Sequence, residues 1–546
     1  MSSLIESFAR HLTRTDVAAA ALFVVLLASI VSRRASSRRV RTTKLNGPKG
    51  TNPIVGLFPT LLRSENPAAL IEGWVKEFGP VFSLPTGLGR TNVTITDVKA
   101  ASHFLARDTG VYHQTGLAKI FIENLFGRGL LWAEEDDHRR QRKALTPAFS
   151  VSATRSYLSV FYDSAYKIKS NWETLLDNGS RMVEVQSWMN HASLDDLGIA
   201  GFGHDFGALD GNDPEVIKIF EAFERPESSG WVSKVLFILG PAFPILQRLP
   251  ARHNRTMKRI KSSMAAVADM ILVPSGRKGS GAAGADQAKS IDKSIMGLLV
   301  KAETAPNGLS MSEEEVLAQN TLLFAGYETT SISLTWALIE LSRHQDKQAA
   351  LREEFAQFEG RDPTWEELSG LPYLNSITQE VLRLHPPLPN INRTATEDDV
   401  IPLSNPITTA AGETTTQLVV AKGTTVACPI AFINQSEELW GPDAKEFKPE
   451  RWIEGADGKD GIGAGAKAIQ GYHHLLTFSD GPRLCLGRNF AIGNFKATLS
   501  VLIRNFSFEL PDGVVTKIGS HRGILARPKL EGQNGPKVPL IVKRIE

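Results

Sequence analysis

Cys485 stands in the stretch Phe478–Gly487, FSDGPRLCLG, which holds the residues best suited to chemistry. A thiolate is a metal ligand, and at a helix N-terminus free backbone N–H groups and the helix dipole stabilise it. Here Gly481 and Pro482, both unfriendly to helix, precede Cys485, and a helix-like run begins near Leu486. Gly481 and Gly487 would let the backbone approach something flat and large. Arg483, two residues from the sulfur, is placed to neutralise a carboxylate. A lone cysteine is more often a small buried hydrophobe. The glycines, proline and arginine around this one favour a ligand. Cys428 is the only other cysteine, so no disulfide framework can hold a chain of 546 residues.

The elements that must position this loop read as mostly helical. Helical periodicity covers Ser312–Ser342, Trp365–Leu384 and Asn489–Ile503, whereas strand-like runs are sparse: Val81–Pro85, Asn92–Thr96, Gln417–Val420 and Thr424–Ala427. That mixture predicts one large domain, mainly α with a minor sheet. Pro274–Ala288 is of low complexity and reads as a surface loop, and Glu454–Gly471 as a second, Gly-rich excursion. The formal net charge is +2, from 61 Lys+Arg against 59 Asp+Glu. A chain so balanced gives no argument for binding nucleic acid.

Ahead of the domain, Val17–Val31 is an unbroken apolar run. Arg33, Arg34, Arg38, Arg39, Arg41 and Lys44 follow it without an acid among them. A cleaved signal peptide would carry its positive charge before the apolar core. Charge after it instead predicts a single-pass anchor with the body on the cytosolic side. The expected divisions are an anchor and basic flank over 1–45, a Pro/Gly hinge over 46–60 and a catalytic domain over 61–546.

Phe478, Gly481, Arg483, Cys485 and Gly487 together fit F-x-x-G-x-R-x-C-x-G, and so the chain resembles the cytochrome P450 family. Asp480 departs from the glycine often found in that signature. Two further motifs follow the family's order: E-x-x-R at Glu380 and Arg383, and P-E-R-[FW] at Pro449, Glu450, Arg451 and Trp452. The resemblance spans about residues 46 to 546 and looks most similar to fungal microsomal members. It implies a single, mainly α cytochrome P450-like domain with a minor β lobe, behind an N-terminal transmembrane helix. The implied cofactor is haem b, with Cys485 as the axial iron ligand and Phe478 and Gly481 beside it. Glu380, Arg383 and Arg451 would form a buried triad. Arg142, Arg393 and Arg483 would pair with the haem propionates. His138 stands where the family often has Trp, and its protonation would matter near neutral pH.

Ala325–Thr330, AGYETT, resembles the family's oxygen-activating segment. A helix interior disfavours glycine by about 1 kcal/mol relative to alanine, so Gly326 needs a reason. By the resemblance it leaves room for dioxygen, Thr329 hydrogen-bonds that oxygen and Glu328 helps deliver protons.

The implied reaction inserts one oxygen atom from O2 into a C–H or double bond. No Gly-rich dinucleotide site follows a strand, so electrons would come from NADPH through a separate reductase of the endoplasmic reticulum membrane. Cytochrome b5 is a second candidate donor, and Arg139, Arg140 and Lys143 offer a basic docking face. Val111–Phe126 would cap an apolar pocket walled by Phe324, Ala325, Leu388 and Ile391. Such a pocket suits a terpenoid, sterol, fatty acid or polycyclic aromatic. Two rival activities remain at this point: a haem-thiolate isomerase or dehydratase acting on a peroxide without a reductase, and a non-catalytic haem-binding membrane protein.

Overall fold

The computed structural model describes residues 40–218 and 311–545, apart from 53–54, 65–66, 88, 456–460 and 524. The apolar run 17–31 and the low-complexity stretch 274–288 lie outside them. Among the described residues, no helix is long and apolar enough to cross a membrane.

The longer helices are α1 (Pro67–Phe78), α2 (Val98–Ala106), α3 (Gly116–Leu125), α4 (Glu135–Leu145), α5 (Leu158–Asp177) and α6 (Val185–Leu197). After the undescribed stretch come α7 (Thr321–Arg343), α8 (Gln345–Phe355), α9 (Pro372–Leu384) and α10 (Arg488–Asn505). A helix apolar all round belongs in a core, and α7 is buried along nearly its whole length. α6, α9 and α10 pack against it. One large apolar cluster joins these helices, and a second fills the sheet side with Ile95, Tyr112, Ile391, Val426 and Cys428.

The strands are β1 (Val81–Gly87), β2 (Arg90–Ile95), β3 (Tyr112–Gln114), β4 (Met182–Glu184), β5 (Ile391–Ala395), β6 (Asp399–Thr408), β7 (Thr414–Val420), β8 (Thr425–Cys428), β9 (Phe506–Glu509), β10 (Ile518–Arg522), β11 (Ala526–Leu530) and β12 (Pro539–Arg544). They form a five-stranded sheet in the order β1-β2-β8-β5-β3, a three-stranded sheet β4-β12-β9, and the hairpins β6-β7 and β10-β11. There is more sheet than the sequence pattern predicts. β6 holds Pro402 and Pro406, and its register with β7 shifts between Pro402 and Ile407. Such prolines remove ladder donors and mask a strand.

Two expected helical runs are interrupted. Pro372 starts α9, so Trp365–Leu384 divides into a short helix Trp365–Gly370 and α9; proline at the first position ends what precedes it. The run from Ser312 tightens into a 3-10 turn at Ala318–Asn320 before α7 begins.

The end of the basic flank and the start of the hinge are docked on the domain. Thr43 N–H donates to Val419 O at 2.9 Å and Val419 N–H to Thr43 Oγ1 at 2.9 Å. Ser83 N–H donates to Asn46 O at 2.9 Å. A Cβ on Gly47 would lie 2.0 Å from Ser83 O, so only glycine lets the segment sit this close to β1.

Candidate active site

Residues 478–487 form a closed loop. Cys485 N–H donates to Phe478 O at 2.8 Å, and Gly487 caps α10. Ser479 sits at φ +60°, a conformation rare outside glycine and held by its surroundings. The Cys485 side chain is open by surface area, yet protein encloses it as deeply as a core residue. Both hold because the sulfur faces an internal space. Enclosure pushes the thiol up, while the Gly487 N–H and the charges of Arg142 and Arg488 pull it down. On α7, exposed Ala325 interrupts a buried helix in the same way. Thr329, one turn on, donates its hydroxyl to Ala325 O at 2.5 Å on that accessible face. Residues four apart share a helix face, so Ala325 and Thr329 look onto one space.

Gly481 and Gly326 do different work from that expected. Gly481 has φ +64°, and a Cβ there would meet Leu105 O at 2.3 Å, so it serves close packing on the end of α2. At Gly326 a Cβ would meet Leu197 Cδ2 at 2.7 Å. The space at Gly326 is therefore filled by α6 rather than left open for dioxygen.

The cations expected near the propionates converge. Arg393 Nε and Arg483 Nε both donate to Asp108 Oδ1, at 2.9 and 3.2 Å. Arg483 also reaches Glu134 Oε2 at 2.6 Å, and Arg142 donates to Leu484 O, beside Cys485, at 2.6 Å. α4 places His138 on its buried side with Gln141, Ala144 and Leu145. Burial, then the charges of Arg483, Arg142 and Arg393, pull His138 down to about 3. It is neutral at physiological pH, which corrects the expectation that its protonation matters there. A cavity of about 820 Å³ opens beside these groups, lined by Asp108, His138, Arg142, Gly481 and Pro482 among others. Asp108 and Glu134 orient the guanidiniums, yet no sequence pattern marks them.

Glu380 and Arg383 are fully buried on α9. Glu380 accepts two bonds from Arg383 at 2.8 Å each, and one at 2.9 Å from each of Arg451 Nε, Lys448 N–H and Trp452 Nε1. Trp452 thus joins the expected triad. Arg383 in turn reaches Asn434 O at 2.9 Å. Asn434 holds Thr477 Oγ1 at 2.8 Å, next to Phe478. The triad is wired to the cysteine loop through two side chains.

Glu328 is also buried, but it points at the β10-β11 hairpin. Arg527 Nε donates to Glu328 Oε1 at 3.1 Å, and the Leu525 N–H bonds the same carboxyl. Around the apolar wall, Phe126 packs on Phe324 with ring centroids 5.4 Å apart, bringing the end of the expected cap onto α7. Leu388 is exposed, whereas Ile391 is buried in the sheet-side cluster. On the basic face, Arg140 is bound by Glu315 and Asp137, and Arg139 by Asp136, so Lys143 remains its least committed cation.

The family model for cytochrome P450 matches residues 46–533. The chain belongs to the cytochrome P450 family. It is 51% identical to cytochrome P450 monooxygenase claP of Ampulloclitocybe clavipes over 97% of this chain and 98% of that one. It is 49% identical to monooxygenase claQ of the same fungus, over 98% and 99%. To cytochrome P450 monooxygenase 128 of Postia placenta it is 32% identical, over 92% of each. This P450 is a monooxygenase, an oxidoreductase whose cofactor is haem b. The residues present fit that group: an inward-facing thiol at a helix N-terminus, an open face on α7 flanked by the packed Gly326, and three guanidiniums gathered around an acid-lined rim.

Proposed function

We propose that this P450 inserts one atom of O2 into a hydrophobic small molecule, with electrons from NADPH through a separate membrane-bound reductase. The observation that carries the reading is the deeply set Cys485, accessible from within and flanked by Arg142. Cys485 is the proposed axial ligand. Haem, when bound, supplies the electron-rich iron centre at which O2 is cleaved. The chain's residues do the rest. Arg142, Arg393 and Arg483, with neutral His138, hold and neutralise the two propionates. Thr329, its own proton donated to Ala325 O, presents lone pairs toward the open face and accepts a proton there. Glu328 stores the proton. The substrate is apolar, of terpenoid, sterol, fatty acid or polycyclic aromatic type, which the Phe126–Phe324 wall supports.

We assign residues 17–31 to an endoplasmic reticulum anchor, with the domain cytosolic; the uninterrupted apolar run and the six cations after it support this. Cytochrome b5 is a second electron donor by the same reading. The test compares wild type with Cys485→Ala in microsomes bearing the reductase. A strongly red-shifted Soret band of the reduced carbon monoxide complex, lost in the variant, together with NADPH-dependent product, is the expected result. Product formed without NADPH or reductase would refute it.

A further inference from the structure

The β10-β11 hairpin is gripped at its tip by the acid of α7. In an α-helix successive side chains turn by about 100°. Gly326 therefore lies to one flank of the Ala325–Thr329 face and Glu328 to the other. The first flank is closed by Leu197 of α6, and the second by Leu525 and Arg527 of the hairpin. Glu328 is 2% exposed and the Arg527 side chain 4%, so the pair meets water only at a narrow edge. Leu525 itself packs against the main apolar cluster, beside the open face.

We propose that Arg527 is a positioning residue for proton delivery, holding the Glu328 carboxyl beside the Thr329 face and setting its proton affinity. The inference rests on the proposed oxygenase reading and adds a residue to it. In the paired state the carboxyl is turned onto the hairpin. A proton taken up from water on a Glu328 oxygen weakens the ion pair. The neutral carboxyl then turns toward the open face and passes the proton to the Thr329 oxygen or a water beside it. The carboxylate left behind pairs again with Arg527. Burial pushes the Glu328 carboxyl up, against the pull of Arg527 and of the Leu525 N–H. It can therefore carry a proton nearer neutral pH than an ordinary glutamate. Among the described residues, Arg527 is the one charged group that acts on the Glu328 carboxyl, and the titratable His521 stands opposite Arg527 across the hairpin.

The test uses the full haem-loaded protein and two readings. The first is the infrared titration of the carboxyl band present in wild type and absent in Glu328→Gln. The second is the pH profile of product formed per NADPH consumed, with hydrogen peroxide measured alongside. Removing an opposite charge at this range raises an acid by about 1–3 pH units. Arg527→Gln should shift the Glu328 midpoint and the pH limb of product formation upward by equal amounts, and divert electrons to peroxide. Arg527→Lys should restore both toward wild type. If Arg527→Gln does not fold, Arg527→Lys carries the test alone, since any change it makes must then move both readings together. A midpoint that moves while product yield and pH profile stay put would mean that the pair only fastens the hairpin. An unmoved midpoint overturns the assignment outright. Wild type that forms no reductase-dependent product would instead refute the oxygenase reading, with the infrared titration still reporting on the pair.

Discussion

Replacing Glu380 with glutamine changes one oxygen to nitrogen and removes one charge, with almost no change of shape. The carboxylate now accepts five hydrogen bonds, two from Arg383 and one each from Arg451, Lys448 N–H and Trp452. A glutamine amide keeps one acceptor oxygen and turns an NH2 toward donors. Arg383, fully buried, then has no anionic partner, and Arg451 keeps only Asp443. Leaving a buried charge unpaired costs about 3–5 kcal/mol, which is a large part of a typical folding stability of about 5–15 kcal/mol. Unfolding entropy near 2.1 cal/mol/K per residue gives about 0.8 kcal/mol/K for the roughly 400 described residues. Glu380→Gln should therefore lower Tm by about 4–6 °C in a single transition. Because Asn434 and Thr477 connect the triad to the cysteine loop, haem should also be retained less well. Scanning calorimetry and the haem-to-protein ratio read the two effects. A Tm within about 1 °C of wild type, with full haem content, would show that the network carries no such strain and that the charge argument is wrong.

Two further substitutions test the packing and the buried charges. Gly326→Ala gains about 1 kcal/mol of helix propensity but forces a methyl against Leu197, an overpacking cost of about 1–3 kcal/mol. Net destabilisation is expected, relieved by adding Leu197→Val; a single variant as stable as wild type would return Gly326 to the open space. Asp196 on α6 is fully buried, with Asn494 Nδ2 donating to it at 2.6 Å, and burial holds its carboxyl well above the ordinary range. The folded state thus binds a proton that the unfolded state releases near pH 4. The resulting stability is full below that pH and is lost as pH rises toward the folded value. Asp196→Asn should hold its Tm across that window while wild type declines; parallel Tm-against-pH curves would mean Asp196 is ionised in the folded protein.

What could be read from the sequence was what side-chain identity at fixed spacing reveals. The Cys485 loop, the Glu380–Arg383 pair and the Arg451 segment each lie within a few residues, so their types alone announced them. α7, α9 and α10 were legible for the same reason, since their apolar period is local, whereas α6 was not singled out. The rest depends on contacts across hundreds of residues. Arg527 meets Glu328 from 199 positions away, and Asp108 gathers two arginines from beyond position 390. Nothing near Asp108 distinguishes it from a loop acid. Glycines were legible as requirements but not as to their object, because a missing Cβ does not say which neighbour fills its place. His138 was misjudged since its pKa is lowered first by burial and then by three arginines, two of them distant in the chain.

The docking of Thr42–Asn46 along β7 and β1 leaves residues 32–41 as the whole tether between the proposed anchor and the domain. Fully extended, ten residues reach only about 35 Å. The enzyme would hang on a short leash that limits how far it can roll on the bilayer. Its encounters with apolar molecules then become a search in two dimensions, where concentration is counted per area of lipid, and lengthening the leash would slow capture without touching a single residue of the site.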